Sequence, residues 1–195
     1  LEGRVRVTVK LLFHSEFVHH AFGRVRLSVA PDPHPAAEET RWLDDANVSL
    51  GETHLDASPG PWNWVDAKDH PVHSGQQSRL QEVDTDRIYQ HYFLKATRPL
   101  EVKKGDRFHA WVWIDETSPT RTVMLQLHSN NSWDHRAFWG EDLITFGPTG
   151  EDVVSHRPMG DLPTPGKWVR LEVSADHIGL PAGSVIDGMA FTQFG

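Results

Sequence analysis

The sequence predicts an all-β chain, an antiparallel β-sandwich of jelly-roll-like build, and three observations carry that reading. Short apolar–polar alternations recur along the chain. Turn signals separate them roughly every 8–12 residues. No window of eleven or more residues keeps the 3.6-residue period of a helix. At 195 residues the chain fits one large domain, or one domain plus a fragment of another. A core of that size buries roughly two-thirds of the surface the unfolded chain exposes.

Taken in order, residues 4–11 (RVRVTVKL) place Val5, Val7, Val9 and Leu11 on one side of a strand, and 24–29 (RVRLSV) repeat the pattern. The pair reads as an N-terminal β-hairpin over 1–35, either the end of a preceding segment or packed on the sandwich. A Pro-, Glu- and Ala-rich stretch at 30–40 is the boundary candidate, and 36–195 is read as the sandwich module. Residues 41–80 are dense in Asp, Pro, Gly, Ser and His and read as loops, with short strands near 47–50 and 62–65. Strands follow at 88–97, 100–103 and 107–114, with Lys104-Gly105-Asp106 turning the chain between the last two. The run 121–128 (RTVMLQLH) is the plainest strand of all, and another lies near 136–146. Residues 147–166 read as a long Gly/Pro loop. Strands at 167–174 and 185–192 close the chain, joined by 175–184 with one helical turn.

Composition excludes several functions. The formal net charge is −8, from 19 basic and 27 acidic residues, which argues against nucleic acid, whose binding rests on neutralising phosphates, and against an anionic membrane surface. The absence of cysteine removes thiolate metal sites, Fe–S clusters and cysteine nucleophiles. No apolar run approaches the roughly 18 residues that span a bilayer, and residues 1–30 contain no signal-peptide core. The chain opens within an apparent strand and stops at Phe194-Gly195, so it reads as an excerpt of a longer polypeptide.

Thirteen histidines raise the question of metal, with His19-His20, His70/His73 and His128/His135 as the nearest groupings. Three converging imidazoles would suit zinc, copper or iron, but no metalloenzyme spacing is present. Asp44-Asp45 offer the hard oxygens that a structural calcium takes; a solvated acidic loop start is the plain alternative. Asp115-Glu116 and Glu141-Asp142 are adjacent acids. On a strand, neighbours point to opposite faces, so neither pair is itself a catalytic couple for glycoside hydrolysis. No other cofactor is indicated.

The aromatic pattern says more. Along 107–115, His109, Trp111, Trp113 and Asp115 share a face opposite Phe108, Ala110, Val112 and Ile114. Along 121–128, Met124, Gln126 and His128 oppose Val123, Leu125 and Leu127. One face suits the space between two sheets; the other suits a ligand surface on which flat rings stack against sugars. A second mini-core beneath a loop is the competing reading for Trp111 and Trp113. Trp62 and Trp64, with His70 and His73 beyond them, form one aromatic loop. Trp133, His135, Arg136, Trp139 and Glu141 form another, and the two would wall a pocket if they met. Arg136 would then bind an acidic substituent, or pair internally with Glu141.

The runs FGRVRLSV, HPVHSGQQSR, VMLQLHSNNSWDHRAFWGEDLI, GDLPTPGKWVRLEVSADHIGL and GSVIDGMAFTQFG resemble a region of large planctomycete-type multidomain proteins that also carry c-type cytochrome segments. The similarity covers most of residues 20–195. It implies a β-rich module resembling carbohydrate-binding jelly rolls within an exported, extracytoplasmic polypeptide. It identifies no catalytic residue, and the haem-attachment CxxCH motif is absent. Relatives continue past FTQFGG with a strand containing Trp-Asp, which this chain lacks.

The expectation is therefore a non-catalytic polysaccharide-binding module of a larger exported protein, with neighbouring domains of the parent chain as further partners. Its ligand-binding residues would be Trp62, Trp64, Trp111, Trp113, Trp133, His135, Arg136 and Trp139. The alternatives are a His-ligated metalloenzyme acting on polysaccharide and a structural interdomain spacer.

Overall fold

In a computed structural model the described residues are 39–43, 45, 53–57 (backbone only), 62–83 and 86–195. The chain divides into units Leu1–Thr40 and Arg41–Gly195, and the described residues fall almost wholly in the second. The expected strands at 4–11, 24–29 and 47–50, and Asp44, lie outside them.

The strands are β1 (Thr53–Ala57), β2 (Asn63–Asp66), β3 (Gln77–Leu80), β4 (Ile88–Leu94), β5 (Leu100–Glu101), β6 (Arg107–Trp113), β7 (Thr122–Ser129), β8 (Ser132–Gly140), β9 (Arg157–Pro158), β10 (Trp168–Ser174) and β11 (Val185–Phe194). The expected helical turn is a 3-10 turn at Ala175–Ile178, closed by Gly179 with φ 72°. The fold is an all-β sandwich of antiparallel sheets, and among the described residues one short pairing, between β8 and β9, is parallel.

The large sheet runs β1-β4-β11-β7-β8-β9, with β5 on the start of β11. β6 and β10 form a second sheet, paired from Trp113↔Trp168 to Arg107↔Ser174. The core lies between the two. Val123, Leu125 and Leu127 of β7, Phe93 of β4, Met189 of β11 and Ala137 and Trp139 of β8 meet Leu171 and Val173 of β10, with Phe108, Ala110 and Val112 of β6 packed against them. The aliphatic side of each alternation thus faces inward, as period-two patterning requires.

The other face of the large sheet is covered where an open ligand surface was expected. Residues 141–156 fold across it and place Ile144 and Phe146 on Met124, Phe138, Ile88 and Phe194. His156, wholly buried, holds this segment down: Nδ1 donates to the Phe146 carbonyl at 2.7 Å and Nε2 meets Asp142 Oδ1 at 2.5 Å. Gln126, 2 % exposed, donates to Thr192 Oγ1 and accepts from Arg136 Nε. A buried amide satisfied on both sides is structural, since leaving either end unmet would cost about 1–3 kcal/mol.

β8 begins four residues before the expected start. Asn130-Asn131, with φ 51° and 60°, form a two-residue turn of the primed type that matches strand twist, so Ser129 pairs directly with Ser132. β8 ends at Gly140 (φ 94°), where a Cβ would stand 2.3 Å from the Arg121 carbonyl oxygen.

Candidate functional site

The outer face of the β6–β10 sheet carries the aromatic surface. Alternation turns Trp111 and Trp113 away from the core, 41 % and 37 % exposed. Trp168 of β10 lies beside Trp113, its ring centroid 6.0 Å away and tilted by 64°. Same-face residues two apart on a strand stand about 7 Å from each other, so three indoles form a short row on a rigid two-stranded base. Cross-strand register adds Arg170 beside Trp111 and Glu172 beside His109. Arg107 and Arg170 both bind Glu172, the latter through Nη2–Oε2 at 2.6 Å. The Arg107 hydrogen bond, with the charges of Arg107 and Arg170, holds the Glu172 carboxyl below its ordinary range against the opposing effect of burial. Trp168, Arg170 and Glu172 were missed in the sequence reading, although KWVRLEVS carries the same alternation as β6.

A loop leans over this row. His73, between β2 and β3, stacks on Trp111 with centroids 3.9 Å apart and planes 19° apart, and presents its edge to Trp168 at 5.6 Å. The base of that loop is fixed by Asp45, whose two carboxylate oxygens accept the backbone N–H groups of Gln76 (2.8 Å) and Gln77 (3.0 Å). Gly75, at φ 70°, leaves the room Asp45 occupies, since a Cβ there would fall 2.3 Å from its Oδ1. Asp45, expected as a calcium ligand, is thus engaged with backbone amides.

The two aromatic loops do not meet. Trp62 lies 6.2 Å from the ring of His91, which the β4 register places on the core side of the large sheet beside Phe191. Trp64 lies under the Arg79 guanidinium at 4.8 Å. Trp133 packs edge-on to Tyr92 at 5.9 Å and 5.0 Å from His128, on the opposite face of that sheet. Strict alternation would put Trp133 with Ala137 and Trp139 on the core side. A register shift between Leu127 and Ser129 gives β8 an extra residue there, and such a bulge re-aims the side chain.

The remaining expected ligands make contacts within the fold. Trp139 is 8 % exposed and part of the main core. His135 donates from Nδ1 to the Ile178 carbonyl at 2.8 Å. Arg136 is bound by Gln126, Asp134 and the Ser155 carbonyl. Its expected internal partner, Glu141, instead takes a two-point contact from Arg121 at 2.9 and 2.8 Å, which lowers the Glu141 pKa. Asp115 accepts from Thr117 and Ser118, first of all the Thr117 hydroxyl, and is lowered likewise. Among the described residues no three His, Asp or Glu side chains gather as metal ligands, and no helix is long and apolar enough to cross a membrane.

The sequence matches no protein-family model and no curated protein, and the fold matches no solved structure.

Proposed function

We propose that the chain is a non-catalytic polysaccharide-binding module of a larger exported protein, and that it grips its glycan on the outer face of the β6–β10 sheet. The observation that carries this reading is the exposure of Trp111 and Trp113 on a rigid strand, beside Trp168. Large exposed aromatics on a monomer mark interaction surfaces. Indoles present a flat apolar face to the C–H side of a sugar ring, while the adjacent Arg170 and Glu172 supply a donor and an acceptor for hydroxyls. The ligand stacks on Trp113 and on the part of Trp111 that the His73 stack leaves exposed, with Trp168 as the wall of the row. Of the other expected contacts, Trp62, Trp64 and Trp133 belong to separate clusters, so the proposal rests on the Trp111–Trp113 row.

Affinity electrophoresis through gels containing soluble glucans, mannans or xylans tests the proposal. The native chain is retarded by at least one of them, and Trp111→Ala and Trp113→Ala each weaken the retardation, by about tenfold if one ring contact contributes about 1.4 kcal/mol. Equal mobility of native and variant chains in every gel would refute the assignment. The metalloenzyme alternative is tested by elemental analysis of protein purified without an affinity-metal step. Stoichiometric copper, zinc or iron would revive it.

A further inference from the structure

Three irregularities of the large sheet fall at one level and on one side. The β11 ladder shifts register between Ile186 and Gly188, which leaves Asp187 unpaired in the ladder with β7. The β8 ladder shifts between Leu127 and Ser129, which turns Trp133 out of alternation. β4 ends with Lys95 at φ 55°. These are the register shifts recorded in the described ladders, and the first two bracket the same step of β7, His128-Ser129. Sheets bulge beside sites because the extra residue aims a side chain that alternation would send elsewhere.

Two of them, at Lys95 and Asp187, border a depression of about 470 Å³ at that end of the sheet, which Pro99, Asn130, Asn131 and Val185 also line. Small-ligand sites span roughly 300–1,000 Å³. Lys95, Asn130 and Asn131 are the described non-glycine residues with positive φ, and all three line it. The primed turn accounts for the two asparagines, and Lys95 is the extra residue where the Ala96 N–H reaches the Asp187 carbonyl at 2.9 Å, one position out of the β4–β11 register, a place where bulges adopt the left-handed conformation. Asp187 is held in place: its Oδ1 meets Nδ1 of His128 at 2.5 Å, and the His128 ring is backed by Trp133 at 5.0 Å. Gly188 lets β4 and His128 approach, because a Cβ there would lie 2.7 Å from the Phe93 carbonyl oxygen and 3.0 Å from His128 Cβ.

We propose that this depression is a second binding site, separate from the tryptophan row, and that it takes the end of a neutral saccharide chain. Its polar groups are one carboxylate, two amides and one ammonium, with the charges of Lys95 and Asp187 cancelling. Such a set both donates and accepts at short range, which matches an array of hydroxyls. An anionic ligand would meet Asp187, and a cationic one Lys95. The depression is open to solvent rather than enclosed, which suits a chain end.

The experiment uses the full chain, isotopically labelled, in a Trp111→Ala/Trp113→Ala background, titrated with cellotriose, mannotriose and xylotriose. The Asn130 and Asn131 side-chain amide resonances and the His128 ring resonances shift saturably with at least one of the three. Glycine favours positive φ, so Lys95→Gly, Asn130→Gly and Asn131→Gly keep the backbone and remove only the polar groups. Lys95→Gly weakens binding about tenfold, as expected for a hydrogen bond from a charged donor, and its urea midpoint does not fall. An absence of shifts with all three sugars would overturn the proposal, as would equal affinity in the glycine variants. Because the background lacks the row, failure of the row leaves this result intact.

Discussion

Trp111 and Trp139 are the same residue type on neighbouring layers of one sandwich, and their environments give them opposite duties. Trp139 packs among Val123, Leu125 and Ala137, so nearly all of its ring is buried in the core. Cutting it to alanine removes both the transfer energy and the fill of the cavity, at a cost of about 3–5 kcal/mol. Trp111 gives up only its stack with His73 and some half-exposed area, a loss of about 1 kcal/mol or less. Urea melts of Trp139→Ala and Trp111→Ala should therefore separate widely, while glycan retardation separates them in the reverse sense. Equal stability losses would mean that Trp111 is part of the fold rather than a surface for ligand.

At the scale of elements, alternation makes the β6 face legible in the sequence: His109, Trp111 and Trp113 on one side, and Phe108, Ala110 and Val112 on the other, are where period two puts them. The same reasoning failed on β7. Met124, Gln126 and His128 do share a face, but a segment distant along the chain lies over the first two, and nothing in β7 encodes its cover. It failed again at Trp133, because a single bulge residue inverts parity and bulges have no local signature there. The short pairings β1, β3 and β9 were also unread, since two to five residues are too few to establish a period. The β6–β10 ladder adds a cross-strand charge cluster whose pH dependence has a definite sign. Glu172 is held below its ordinary value of 4.5 in the folded state by Arg107 first. The unfolded chain thus binds the proton more readily, and stability gained from the ionised carboxylate is present above about pH 4.5. It is lost as pH falls through the lower folded value. Asp115, Asp134 and Glu141 are lowered too and act in the same direction, so the test is a comparison. The stability gap between the native chain and Glu172→Gln, measured by urea midpoint from neutral pH downward, should close only below about pH 4.5. A gap unchanged down to the acid end would mean that the Arg107 and Arg170 contacts do not stabilise the ladder.

At the scale of the whole molecule, the two proposed sites lie on opposite sides. The tryptophan row is on the outer surface of the small sheet, and the His128–Asp187 corner is on the far face of the large one. Between them stand two sheets about 10 Å apart and the core that joins them. One short oligosaccharide cannot reach both, so the second contact is not made intramolecular by the first. A long neutral polysaccharide meets a different situation, because each module then joins two chains. Light scattering from a soluble neutral polysaccharide should rise as protein is added, pass through a maximum, and fall when excess protein occupies each chain separately. Trp111→Ala and Lys95→Gly should each abolish the rise, although each leaves one site working, and a trisaccharide in excess should reverse it. If both sites bind but scattering stays flat, a single chain wraps from one to the other around the edge of the sandwich. Single-site variants would then lose apparent affinity for long chains far more than for trisaccharides, and the two outcomes distinguish a cross-linking module from a wrapping one.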